Sequence, residues 1–231
     1  MATDRIDSIK ACVFDAYGTM FDVNAAAAHC AGELGDSWQP LANLWRLRQL
    51  EYTWLRSLMG AYADFWQITA EALDFAMANL GIEDRDGLRE RLLQLYLQLD
   101  AYPEVSDVLK ALKAAGFKTA ILSNGSPEML RSAVDNAGIG GDLDAVLSVD
   151  ELGIFKPAPA VYQLAVDRLG VAAGEICFQS SNAWDAHAAS HFGFRVAWVN
   201  RFGQARERLP GAPDVELADL NALLPVIGAD A

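Results

Sequence analysis

The chain has 231 residues, 52% hydrophobic and 21% charged, which are the proportions of a folded globular protein and exclude a disordered or fibrous one. A formal net charge of −13 speaks against nucleic-acid binding, and no run approaches the roughly 18 apolar residues of a membrane span, so a membrane partner is not expected either. Met1-Ala2-Thr3-Asp4-Arg5 lacks the basic and apolar regions of a signal peptide, and three cysteines (Cys12, Cys30, Cys177) without CxxC spacing fit a reducing cytoplasm.

In chain order, Cys12-Val13-Phe14 reads as a buried strand that stops at Asp15, with Gly18-Thr19 as the turn behind it. A carboxylate there lies at the carboxyl end of a strand, where open α/β sheets bind ligands. Residues from about Asn24 to Leu99 are helical in pattern and carry Trp38, Trp45, Trp54 and Trp66. Within them, Trp45, Leu47, Leu50, Trp54, Leu55 and Leu58 predict the apolar face of an amphipathic helix. The block reads as an inserted cap; the plainer alternative is a helical extension packed permanently on the core. Its aromatic-rich helix from Trp38 to Met59 reads as cap packing or as the surface of a homodimer.

Beyond Leu99 the pattern alternates. Val105, Leu109 and Leu112 mark a helix, Lys118-Thr119-Ala120-Ile121-Leu122 a strand closed by Ser123-Asn124-Gly125, and Pro127 opens the next helix. Ala145-Val146-Leu147-Ser148-Val149 is a shorter strand, and Val161, Leu164, Ala165 and Leu169 line another helix. Ile176-Cys177-Phe178-Gln179 runs into Ser180-Ser181-Asn182, and Phe194-Arg195-Val196-Ala197-Trp198-Val199 runs into Asn200-Arg201. The expected fold is α/β: a doubly wound, mostly parallel sheet (a Rossmann-like core) from residues 1–22 and 100–231, with an all-helical cap domain at 23–99.

Four segments fall at strand ends or helix starts: Asp15-Ala16-Tyr17-Gly18-Thr19, Ser123-Asn124-Gly125, Lys156-Pro157, and Ser180-Ser181-Asn182-Ala183-Trp184-Asp185. Their order, Asp, Ser, Lys, Asp, resembles the four motifs of the haloacid dehalogenase superfamily over nearly the full chain. More narrowly it is similar to the L-2-haloacid dehalogenases, in Trp45-Arg46, Leu50-Glu51-Tyr52-Thr53-Trp54-Leu55-Arg56, Leu122-Ser123-Asn124-Gly125, Val161-Tyr162 and the run from Ser180 to Asp185.

The resemblance implies that Asp15 is a covalent nucleophile. Superfamily phosphatases carry a second aspartate two residues on, as the acid that protonates an alkoxide. Here that place holds Tyr17, and the place of a Mg²⁺-holding aspartate holds Ser181. A halide leaves without protonation, so these choices suit halide displacement with no metal and no other cofactor. Nucleophile and substrate are then both anions, and two like charges about 4 Å apart repel by roughly 4 kcal/mol at an effective dielectric near 20. Lys156 beside Asp15 would offset that repulsion, as the resemblance implies. Ser123 and the amides of Ala16, Tyr17 and Asn124 would hold the substrate carboxylate, and Arg46, Asn124 and Phe65 would meet the departing halide.

Asp15 would attack C2, invert it and form an ester. Water directed by Asn182, Ser180 or Asp185 would then attack the Asp15 carboxyl carbon, with Thr19 and nearby amides stabilising the oxyanion. The partners expected are therefore a small anionic 2-haloacid, water and the halide product. Asp185 reads equally as a holder of Lys156 or Ser180. Tyr162 reads as a site residue or as helix packing, and Phe65 and Trp184 as pocket walls or core. An enzyme opening a strained ring acid of the azetidine-2-carboxylate type, a phosphatase or phosphonatase, and a non-catalytic binding protein are the competing readings. His187 and His191 share a helix face at i, i+4 but lack a third ligand, and with His29 they read as packing or surface residues.

Overall fold

The computed structural model describes residues 5–23 and 31–229; Cys30, His29 and the start of the expected helical block lie outside the described residues. Six parallel strands form one sheet: β1 (Ala11–Phe14), β2 (Lys118–Ser123), β3 (Ala145–Ser148), β4 (Ile176–Ser180), β5 (Arg195–Val199) and β6 (Val215–Leu217), in the order β3-β2-β1-β4-β5-β6. All four residues of β1 are buried, because a central parallel strand is covered on both faces; this is why it reads as an unbroken apolar run.

The order of strands reverses direction at β1, with β2 and β3 to one side and β4 to β6 to the other. Phe14 pairs with Ile121 on one flank and Gln179 on the other, so the carboxyl ends of β1, β2 and β4 lie within two residues of one another. Asp15, Ser123 and Ser180 are thereby delivered to one edge, the crevice where doubly wound sheets bind ligands.

Helices cover both faces of the sheet. Between β1 and β2 the described residues form a block without strands: α1 (Ala31–Leu34), α2 (Trp38–Met59), α3 (Phe65–Leu80) and α4 (Leu88–Leu97), followed by α5 (Val105–Ala114). The Asp64 side chain accepts from the Gln67 amide to start α3, and left-handed Gly60 and Gly81 end α2 and α3. Two chain segments join this block to the sheet, and they hydrogen-bond to each other: Asp22 donates to the Asp100 carbonyl at 3.0 Å and Tyr102 to that of Met20 at 2.9 Å. A helical cap on a paired neck is the result.

After β2, Ser126 caps α6 (Pro127–Ala137) and Pro127 occupies its first turn, as expected. Then come α7 (Pro159–Leu169), α8 (Ala183–Phe192) and α9 (Leu223–Ile227). Among the described residues no helix is long and apolar enough to cross a membrane.

One expectation is corrected. The inward face of α2 is Leu41, Trp45, Gln49 and Thr53, while Leu47, Leu55 and Leu58 are 49%, 51% and 85% exposed. Hydrogen bonding decides this. Gln49 and Thr53 are buried with their side chains satisfied, so the helix turns a mixed face to the cap interior and leaves leucines outside.

Candidate active site

Asp15 follows β1 directly, and its amide donates to the Gln179 carbonyl at 2.9 Å, which continues the strand pairing up to the carboxylate. Its two oxygens differ. Oδ2 accepts from Asn182 Nδ2 at 2.8 Å, Thr19 Oγ1 at 3.1 Å and Ser180 Oγ at 3.4 Å. Oδ1 accepts from Lys156 Nζ at 3.0 Å. Thr19 Oγ1 is held in turn by the Ser181 amide at 2.8 Å, so the turn after β1 is tied to the one after β4.

Lys156 lies between two carboxylates. Its Nζ is 2.8 Å from Asp185 Oδ2, and Tyr162 donates to Asp185 Oδ1 at 2.8 Å. Lys156 and Asp185 are 1% and 0% exposed, so this is a buried cluster of two anions and one cation. Burial is the largest influence on Lys156 and by itself would lower the ammonium, but Asp15 and Asp185 together hold it above its ordinary value. Burial pushes the Asp185 carboxyl up, Lys156 pulls it back, and the Asp15 charge adds to the rise. The asymmetry is physical: the lysine gains two attractions, while Asp185 gains one attraction and one repulsion.

Arg46 on α2 reaches across from the cap. Its Nη2 donates to Asn182 Oδ1 at 3.3 Å and its Nη1 to Gln49 Oε1 at 2.7 Å. An aromatic roof closes the remainder. Tyr17 stacks on Tyr96 with centroids 5.8 Å apart and packs against Phe65 at 5.7 Å. A Cβ on Gly125 would lie 2.7 Å from Tyr17 Cε2, so the absence of a side chain there lets the ring in. Burial drives the Tyr17 phenol well above its ordinary value, with Tyr96 and Asp15 adding to it.

Among the described residues no three His, Cys, Asp or Glu side chains gather as a metal would require. What the arrangement offers is a carboxylate with one crowded oxygen and one freer oxygen, bonded to Lys156 and linked through Asn182 to Arg46.

The family model of the haloacid dehalogenase-like hydrolases matches residues 9–193. The chain belongs to that family. Among curated members, (S)-2-haloacid dehalogenase 1 of Pseudomonas sp. (strain CBS-3) is 54% identical over 202 residues, covering 87% of this chain and 89% of the relative. The (S)-2-haloacid dehalogenase 4A of Burkholderia cepacia is 52% identical, covering 87% of each chain. The structure of the L-2-haloacid dehalogenase from Xanthobacter autotrophicus with chloropropionic acid covalently bound superposes with a TM-score of 0.88 at 39% identity, covering 96% of this chain and all of that one.

In this dehalogenase-like hydrolase the residues singled out from sequence fall into two groups. Asp15, Thr19, Lys156, Tyr162, Ser180, Asn182 and Asp185 form one bonded cluster, and Arg46, Tyr17 and Phe65 close over it. The others are supports or lie apart. Ser123 Oγ accepts from the Gly125 amide, Asn124 Oδ1 accepts from the Lys156 amide at 3.0 Å, and Ala16 accepts through its carbonyl from the turn amides. Trp184 packs edge-on against Trp54 at 5.4 Å, beside an apolar cavity of about 580 Å³ whose wall includes Lys156 and Tyr162. His187 is held by the Leu209 carbonyl and His191 packs beside the same loop, as helix-packing residues do.

Three residues went unnoticed in the sequence. Gln49 lies three residues after Arg46, a spacing that places it on the same helix face. Tyr96 meets both Gln49 and Tyr17. Arg201, just past β5, donates to the Thr19 carbonyl at 2.9 Å and pairs with Glu104 at 2.6 Å, linking the turn after β1 to the neck.

Proposed function

We propose that the chain hydrolyses (S)-2-haloacids to (R)-2-hydroxyacids and halide through an ester on Asp15, using no metal or other cofactor. The unequal environment of the two Asp15 oxygens carries this reading. Oδ1 has one hydrogen bond and attacks C2 from the side opposite the halogen; the carbon–halogen bond breaks and the halide leaves with its electron pair. Oδ2 becomes the ester carbonyl. Water then attacks the Asp15 carboxyl carbon, and the negative charge that develops on Oδ2 meets donors already aimed at it from Thr19, Asn182 and Ser180. The bond from that carbon to Oδ1 breaks and the departing alkoxide takes up the proton that Asp185 has accepted from water, so the hydroxyl oxygen of the product comes from Asp15.

Asp185 takes the proton from water. Asn182 and Ser180 are committed to Asp15, and Asp185 is the charged acceptor among the three candidates. Esterification removes the Asp15 charge that raises the Asp185 carboxyl, which favours the ionised form of Asp185 as its proton-accepting role begins. Ser123 and the amides of Ala16, Tyr17 and Asn124 hold the substrate carboxylate, Arg46 with Phe65 receives the halide, and Trp184 walls the apolar side. No acid stands in the place of Tyr17, whose ring is packed into the roof, and a halide needs none.

The segment 23–99, whose described helices lie between Ala31 and Leu97, serves as the cap over a core of 1–22 and 100–231. Exposed Leu47, Leu55, Leu58 and Met59 on α2 support a homodimer through this helix. The unpaired thiols of Cys12 and Cys177 fit a cytoplasmic protein.

Incubation with (S)-2-chloropropionate in EDTA is expected to release chloride, and Asp15→Asn to abolish release. In a single turnover in H₂¹⁸O the label is expected in Asp15 and not in the hydroxyacid. Label appearing first in the product would rule out the ester.

A further inference from the structure

Arg46 is the charged group through which the cap meets the core site, and a long arginine on a helix needs something to aim it. Its Nη1 donates to Gln49 Oε1 at 2.7 Å, and Gln49 is 1% exposed, inside the cap. The Tyr96 hydroxyl donates to the same oxygen at 3.1 Å. On the other side, Gln49 Nε2 donates to Thr69 Oγ1 at 2.7 Å. Thr69 has one hydroxyl proton and gives it to the Phe65 carbonyl at 2.6 Å. Its oxygen can therefore only accept from Gln49, which forces the amide nitrogen toward Thr69 and the amide oxygen toward Arg46.

The chain of donors runs one way, from Arg46 and Tyr96 into Gln49, and from Gln49 through Thr69 into the backbone of α3. Trp45 anchors the same turn by donating to the Thr69 carbonyl at 2.8 Å. The acceptor is also neutral. Among the described residues Arg46 makes no salt bridge, so its charge is oriented without being cancelled, whereas Lys156 faces two carboxylates.

We propose that Gln49, braced by Thr69 and Tyr96, is a positioning residue that holds the Arg46 guanidinium in place for the departing halide while leaving its positive charge free. This deepens the proposed function and rests on Arg46 being the halide-facing group. A glutamine serves where a glutamate would not. A carboxylate would neutralise the guanidinium, and it has no N–H to give to Thr69.

The test compares single-turnover ester formation with (S)-2-chloropropionate and (S)-2-bromopropionate in the wild type, Gln49→Leu, Gln49→Glu and Tyr96→Phe. Chloride is the poorer leaving group and depends more on Arg46. Gln49→Leu is expected to slow the chloro substrate about tenfold to a hundredfold and to raise the bromo-to-chloro rate ratio at least about threefold, with KM changed by less than about threefold. Gln49→Glu shifts the ratio the same way through charge cancellation, and Tyr96→Phe shifts it less. If Gln49→Leu fails to fold, the other two variants carry the same comparison. An unchanged ratio in the folded variants overturns the role of Gln49, because a purely structural defect slows both halogens alike. A wild type that releases neither halide overturns the proposed function and this inference together; an active wild type with a flat ratio overturns the inference alone.

Discussion

The two cations of the site, Lys156 on Asp15 and Arg46 on Asn182, are held in opposite ways. Lys156, on the core side, is buried between Asp15 and Asp185, with its ammonium 4.9 Å over the Phe178 ring. Arg46, on the cap side, is half-buried and bonded to the neutral oxygens of Gln49 and Asn182. A charge locked into a buried ion cluster belongs to the folded structure as much as to the site, since removing it strands its partners. A charge held by neutral acceptors keeps its field for whatever arrives. In the proposed reaction the core side would build the nucleophile, and the cap side would keep an unspent positive charge for an anion.

Replacing each cation separates the two. Lys156→Met leaves Asp15 and Asp185 buried together without a counter-ion. It is expected to lower stability by about 3–5 kcal/mol and activity by more than about a thousandfold. Because the folded-state pKa of Lys156 lies above 10.5, its stabilisation is complete below pH 10.5 and disappears as pH climbs through the raised value. Thermal melts of wild type and variant from about pH 8 to about pH 12 should therefore converge at the alkaline end. Arg46→Gln is the opposite case, with activity down about a hundredfold to a thousandfold and stability within about 1 kcal/mol of the wild type. Equal destabilisation by both substitutions, measured by denaturant unfolding, would erase the distinction.

This division also explains what the sequence made legible. The core side is written in short motifs because strand ends place residues by their position: Asp15, Ser123 and Ser180 each follow an apolar run, and parallel pairing of β1 with β2 and β4 brings them together. The cap side is not written that way. Arg46 was recognisable by resemblance, but Gln49, Thr69 and Tyr96 come from three different helices and meet only after those helices pack. The apolar pattern of α2 misled for the same reason, since buried polar partners on α3 and α4 decided which face turned inward. The C-terminal β6 and α9 leave no mark in the sequence, because a three-residue strand and a five-residue helix carry too little periodicity.

The smallest expected effect probes the core cluster from its far edge. Tyr162 donates to Asp185 Oδ1 at 2.8 Å, while its ring is packed against Phe178, Phe192 and Phe194. Tyr162→Phe keeps that packing and removes one hydrogen bond that favours the ionised carboxylate. The Asp185 carboxyl already stands above 3.8, chiefly through burial, and losing the Tyr162 bond raises it further. In the proposed role of proton acceptor Asp185 would work only when ionised, so activity should fall as pH drops through its folded-state value, and in the variant that fall should begin at higher pH. Its linkage to folding has the opposite sense to that of Lys156. A raised carboxyl favours the folded state most below pH 3.8, and that advantage is lost as pH rises through the raised value. At neutral pH the rate should drop only about threefold to tenfold, because the lysine and the aspartate still face each other. The decisive measurement is the acid limb of the pH–rate profile for ester hydrolysis. An upward shift in Tyr162→Phe assigns that limb to Asp185. A limb that stays in place while the rate falls would mean that Asp185 only holds Lys156, and that water loses its proton elsewhere.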